Sequence, residues 1–196
     1  MTSDTSVVTP ERFATGLSSY EAWIEAIPER EELFQEHYDA YEPNSDDVAA
    51  VRKLVDDHGV KVLALGEHWC PDVWRGIPVL AKIAEATGME MRIFFRDQNK
   101  DIMSEFLKDG EFESIPTFVF YDRDHTYLGH WNERPQVAYE QQLEIRQRLM
   151  PDGAPPEGPE RDTLMKEFRE ETGKLSGEWR DLTLSEIRTL LEEKLG

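Results

Sequence analysis

Apolar positions between Ser18 and Tyr41 recur with a helical period, placing Tyr20, Trp23, Ile24 and Ile27 on one face. Pro28 interrupts that stripe, and a second helix follows with Leu33, Phe34, His37 and Tyr38 on its apolar side. Asn44-Ser45-Asp46-Asp47 is a cluster of capping residues before a third helix through Val48, Val51, Leu54 and Val55, which Gly59 closes. The period then shortens. Residues 60–65 read as a strand, 71–87 as a helix, 89–95 as a strand and 100–108 as a helix. Two strand-like runs, 117–121 and 126–130, flank the turn Asp122-Arg123-Asp124, and a helix is predicted over 135–150. Residues 1–10 carry no such pattern and read as a disordered lead.

Alternating strands and helices, then a hairpin and a closing helix, predict an α/β three-layer sandwich around a small mixed sheet. A linker by composition follows, Pro151-Asp152-Gly153-Ala154-Pro155-Pro156-Glu157-Gly158-Pro159. Beyond it lie two charged amphipathic segments, about 160–173 and 183–194. The second opens with Thr183-Leu184-Ser185-Glu186, which reads as a capping box, and its stripe Leu184, Ile187, Leu190 and Leu191 reads as core packing. The expected organisation is a lead with helices over 1–44, an α/β domain over 45–150, and a linker with a helical tail over 151–196. No internal repeat is evident.

Charge narrows the partners. With 22 basic and 41 acidic residues, the formal net charge is −19, which argues against nucleic acid and anionic membrane surfaces. The basic residues are 14 Arg and 8 Lys. The acidic balance reads as a solubilising surface, and adaptation to a saline environment stays open beside it. No apolar run approaches the roughly 18 residues of a membrane span. The first residues have neither a basic region nor an apolar stretch, and a single cysteine cannot staple the fold internally. A cytoplasmic location is the expectation.

Candidate chemistry concentrates in Glu67-His68-Trp69-Cys70-Pro71-Asp72-Val73, which holds the only cysteine. Cys70 falls where a strand turns into a helix, and unpaired N–H groups at a helix start favour thiolate. Asp72 opposes that, since a nearby carboxylate raises a thiol pKa. Three residues on, where a dithiol redox protein carries its second cysteine, stands Val73. His68, Cys70 and Asp72 offer ligand types, with His125 or His130 from the hairpin, but the spacing matches no standard site, so no metal is expected. Asp97 and Asn99 read as an N-cap and turn, and Arg134 reads as a partner for surface acids. Trp69 and Trp74 flank the corner, one suited to a peptide groove and the other to inward packing.

Trp69-Cys70 at a strand-to-helix corner, Ile115-Pro116-Thr117 opening a later strand, and the β-α-β-α-β-β-α order together resemble the thioredoxin fold. The chain is similar to a bacterial thioredoxin-like family that pairs a Trp-Cys-x-Asp motif with downstream signatures. These stand here as Arg96-Asp97-Gln98-Asn99, Ile102-Met103, Ser114-Ile115-Pro116-Thr117-Phe118 and Trp131-Asn132-Glu133-Arg134-Pro135. The resemblance covers about residues 45–150. It implies that Cys70 is the attacking cysteine, that the resolving cysteine is replaced by Val73, and that the buried acid six residues before Cys70 is replaced by Ala64. It also implies a cis Pro116 facing Cys70, with Trp69, Asp72, Ile115 and Pro116 lining a substrate groove and Glu67, His68 and Arg134 as neighbours.

The resulting expectation is monothiol exchange through a mixed disulfide at Cys70, with a small thiol or a client cysteine as partner and no cofactor. Ordinary dithiol chemistry is not expected. A glutaredoxin-like role, binding glutathione or an iron–sulfur cluster, lacks supporting basic residues near Cys70 in the sequence. The rival is a non-catalytic thioredoxin-fold binding module using the Cys70/Pro116 groove, and a homodimer stays open under either reading.

Overall fold

A computed structural model describes residues 6–196. Four strands form one mixed sheet in the order β2-β1-β3-β4: β1 Lys61–Gly66, β2 Glu90–Phe95, β3 Thr117–Tyr121 and β4 Tyr127–Asn132. Strand β1 runs parallel to β2 and antiparallel to β3, and β3 and β4 form an antiparallel hairpin. The sequence explains the central pair. Val62, Leu63, Ala64 and Leu65 are all fully buried, as are Phe118, Val119 and Phe120, so both faces of β1 and β3 are covered.

Nine α-helices surround that sheet among the described residues: α1 Pro10–Phe13, α2 Tyr20–Ala26, α3 Glu31–Asp39, α4 Ser45–His58, α5 Pro71–Thr87, α6 Lys100–Met103, α7 Gln136–Leu149, α8 Pro159–Lys174 and α9 Ser176–Leu195. Their ends follow from local chemistry. Asn44 Oδ1 accepts from the N–H groups of Asp46 and Asp47 at 2.9 and 3.2 Å, capping α4. Pro71 opens α5, where a missing N–H costs nothing, and Gly88 closes it at φ 75° in the left-handed region. Trp23 and Phe34, both fully buried, anchor α2 and α3 on the core through an edge contact at 6.0 Å. Burying each contributes roughly 1.5–3 kcal/mol.

Four sequence expectations change. Residues 6–10 are not a disordered lead: Val8 is 2 % exposed, and the Ser6 hydroxyl and Val7 N–H both donate to Glu105 at 2.6 Å; residues 1–5 of that stretch lie outside the described residues. The helix expected over 100–108 is α6 alone, because the chain leaves it through tight turns and reaches positive φ at Asp109 and Gly110. Thr183 is not a cap. It lies inside α9, and its hydroxyl donates to the Trp179 carbonyl at 2.8 Å, so the helix begins earlier, at Ser176. Asn99 stands at the N-cap position of α6, as expected, but its side chain makes no cap bond; it accepts from Arg12 and donates to the Phe95 carbonyl, both at 2.7 Å.

Helices α4, α5 and α9 pack against one another, and α9 also lies on β4. Leu184, Ile187 and Leu191 are fully buried in the same core cluster as the sheet residues, with Leu190 partly buried against it. Gly129 permits the approach of α9: a Cβ there would stand 3.0 Å from Leu190 Cδ2.

Candidate functional site

Strand β1 ends at Gly66, three linking residues follow, and Cys70 occupies the N-cap position of α5 with extended φ and ψ. Glu67 holds this turn. It is buried, its carbonyl accepts from the Cys70 N–H at 3.2 Å, and its Oε1 accepts from the Asp97 N–H at 2.7 Å. Glu67 therefore ties the end of β1 to the turn after β2. His68 contributes its carbonyl, which accepts from Trp74 Nε1 at 2.5 Å. Trp69 is 44 % exposed, with the Arg96 guanidinium over its ring at 5.5 Å, whereas Trp74 is partly buried.

Cys70 is partly buried, and its Sγ lies 3.7 Å from the Ile115 carbonyl oxygen, a weak S–H donor contact. Ile115 and Pro116 are both buried, and the peptide bond between them is cis. The Pro116 carbonyl accepts from the Glu133 N–H at 2.7 Å. Burial pushes the Cys70 thiol above its ordinary value, and the fields of Asp72 and Glu133 act in the same direction. Helix-start N–H groups at Val73 and Asp72 pull it down but do not prevail. The helix-start advantage expected from the sequence is thus outweighed by desolvation. Ala64 and Val73 are fully buried, so apolar side chains fill both positions where the resemblance placed an acid and a second thiol.

Asp72 is the centre of a charged network the sequence did not reveal. Its Oδ1 meets Arg75 Nη2 and its Oδ2 meets Arg134 Nη2, each at 2.5 Å. Arg134 does not pair with surface acids: its side chain, like those of Asp72 and Arg75, is 15 % exposed or less. It also contacts the Glu133 carboxylate and Gln142. Glu133 accepts from Tyr139 at 3.0 Å and pairs with Lys108 at 3.4 Å. The guanidinium of Arg75 lies over Trp179 at 4.9 Å and that of Arg134 over Tyr139 at 5.2 Å. Basic residues therefore do stand beside the cysteine turn, contrary to the sequence expectation. Asp72 and Arg75 stand three apart in α5, a spacing that could have signalled their pairing, whereas the contact of Arg75 with Trp179 depends on α9.

The hairpin histidines are engaged elsewhere. His125 Nε2 lies 2.8 Å from the Val8 carbonyl, and His130 Nδ1 lies 2.5 Å from the Tyr127 hydroxyl. Among the described residues, no group of three or more His, Cys, Asp and Glu is placed to hold a metal ion. No helix among them is long and apolar enough to cross a membrane.

A mixed four-stranded sheet with a cysteine at the start of the helix after β1, and a proline entering β3 beside it, defines a thioredoxin-like fold. A family model described as thioredoxin matches residues 16–146, and the chain belongs to that thioredoxin-like family. No curated protein matches. Two solved structures share the fold at 16 % identity. One is a protein of unknown function from Pseudomonas aeruginosa, with a TM-score of 0.63, covering 92 % of this chain and 95 % of that one. The other is an HIV epitope scaffold, with a TM-score of 0.62, covering 93 % of this chain and 96 % of that one.

Proposed function

We propose that the protein is a one-cysteine thioredoxin-like protein that exchanges disulfides through Cys70, with a small thiol or a client cysteine as partner. The reading rests on one observation: the single cysteine, Cys70, stands at the start of α5 with its Sγ 3.7 Å from the Ile115 carbonyl, beside the loop that carries Pro116. In the exchange, the Cys70 thiolate attacks one sulfur of a disulfide, forming a mixed disulfide and releasing the other sulfur as a thiolate. A thiol from outside the chain then attacks the partner sulfur and returns Cys70 as thiolate. With no second cysteine in the chain, the resolving thiol is external. A reducing compartment such as the cytoplasm supplies such thiols, and a lone cysteine suits it.

A second reading has its own support. The raised thiol and its contact with the Ile115 carbonyl favour the protonated form, which suits a groove that binds an extended segment without chemistry. Intact mass after incubation with oxidised glutathione at pH 7 and pH 9 separates the two. Exchange predicts one glutathione per chain, formed faster at pH 9, removed by dithiothreitol and absent in Cys70→Ser. No adduct on folded protein at either pH refutes exchange and leaves the binding module.

A further inference from the structure

Between the C-terminal half of α3, the first turns of α5 and the α8–α9 junction lies a cavity of about 510 Å³. That volume suits a small organic ligand. It is lined by Pro71, Trp74 and Arg75 of α5 but not by Cys70, so it is distinct from the thiol contact at Ile115. Its charge runs against the rest of the molecule. Arg75, Arg169, Lys174 and Arg180 line it, against Glu36 as the only carboxylate, in a chain where acids outnumber bases by 41 to 22.

The cations are graded by depth. Arg75 is 8 % exposed and Arg180 half-buried, whereas Arg169 and Lys174 are exposed at the mouth. Arg75 is ion-paired to Asp72, and Lys174 to Glu171 at 2.6 Å. Among the described residues, Arg169 and Arg180 are ion-paired to no carboxylate. Arg180 donates instead to neutral acceptors, His37 Nδ1 at 3.2 Å and the Ala40 carbonyl at 3.3 Å, and its Nε is buried without a partner. A buried donor left unmade is costly, and guanidiniums gathered around an open cavity repel one another unless an anion joins them.

We propose that this cavity binds a small organic anion carrying two or more charges, a phosphate ester or a di- or tricarboxylate, with Arg75 and Arg180 at its floor and Arg169 and Lys174 at its mouth. Planar guanidinium forks match both oxyanions, and the exposed lysine and arginine add attraction at entry. His37 reports the local field: burial first, then Arg180 and Arg75, hold its imidazole down at about 4. The neutral ring is what allows Nδ1 to accept from Arg180. A bound dianion reverses the sign of that field, so ligand binding raises the His37 pKa. This inference does not depend on the chemistry of Cys70.

The test is calorimetric titration of the full chain with inorganic pyrophosphate and, separately, with citrate, alongside NMR titration of His37. The expected result is saturable binding at one site for at least one probe, with an upward shift of the His37 pKa. Preference for pyrophosphate identifies the phosphate source and preference for citrate the carboxylate source. Arg169→Gln/Lys174→Gln, both exposed and so compatible with folding, is expected to weaken binding at least about tenfold. Arg180→Gln is expected to weaken it at least as much. Absence of saturable binding by both probes overturns the proposal, as does binding that both variants leave unchanged.

Discussion

Gly76 is where the cysteine turn and the proline loop meet, and Gly76→Ala puts their packing to a quantitative test. A Cβ at position 76 would stand 2.5 Å from Pro116 Cγ, with Phe118 Cζ and Pro116 Cβ each at 3.5 Å. Non-bonded carbons rest about 3.5–4.0 Å apart, so helix α5 or the proline must retreat by about 1 Å. Neither has room. The Pro116 ring is closed on its own backbone, whose carbonyl is held by the Glu133 N–H, and α5 is buried on both sides of Gly76 at Arg75 and Ile77. Overpacking of this kind costs roughly 1–3 kcal/mol. The helix propensity of alanine over glycine offsets about 1 kcal/mol of it. The net expectation is a loss of up to about 2 kcal/mol, or a Tm lower by up to about 8 °C at this chain length. Gly173→Ala is the matched control, since a Cβ there meets nothing within 4 Å and only the propensity gain remains, up to about 1 kcal/mol. Urea unfolding with midpoint and slope recorded measures both. A Gly76→Ala protein stabilised as much as Gly173→Ala, with an unchanged slope, would refute the close seating of Pro116 on α5.

Two further outcomes follow from charge. His37 is depressed to about 4 in the folded chain from a usual 6.5, so the unfolded chain takes up its proton first as pH falls. The contribution of neutral His37 is therefore complete above pH 6.5 and lost between pH 6.5 and 4, amounting to about 3 kcal/mol at most. Urea midpoints at pH 7, 5.5 and 4.5 for the parent and His37→Gln check it, and parallel slopes in the two proteins would sink it. At the cysteine, Asp72→Asn is expected to speed alkylation of Cys70 by iodoacetamide at pH 7.5 and Arg134→Met to slow it, each by a few-fold up to about tenfold. Both variants shifting the rate in one direction would mean that structural loosening, not charge, sets the reactivity.

Most of the architecture was legible because its signals are local. Pro71 and Gly88 mark the ends of α5, and Asn44 marks the start of α4. The errors occur where a distant element decides. The Thr183-x-x-Glu186 pattern has the residues of a capping box, yet Glu186 is drawn to Trp131 Nε1 at 2.7 Å and the Gln136 N–H at 2.8 Å. Those bonds fasten α9 to the end of β4 and the start of α7, so tertiary demand takes the side chain that a cap would have used. Asn99 fails as a cap for the same reason, its oxygen taken by Arg12 from the first helix. In the site, Cys70 and Ile115 were placed together by resemblance. Their link to Glu133 and Tyr139 depends on side chains converging from three separated stretches, about 70–75, 115 and 133–139, which no spacing rule reports.

The charged network changes what thiol chemistry at Cys70 requires. In the dithiol proteins this fold resembles, a buried acid six residues before the first cysteine assists proton movement, whereas that position here is the buried Ala64. Asp72 is held by two guanidiniums and Glu133 by Arg134, Lys108 and Tyr139, so the carboxylates beside the cysteine turn are already engaged with other partners. The acceptor at the Cys70 thiol is the Ile115 carbonyl, which accepts a hydrogen bond but not a proton. On the proposed reading the proton leaves to solvent or to a base on the partner. The proposed exchange would then depend on what docks beside Cys70, and its rate is expected to rise with pH through the thiol itself. An adduct that forms faster at pH 9 than at pH 7 fits a thiol raised by burial, and equal rates at both pH values would mean that the thiol is already ionised at pH 7.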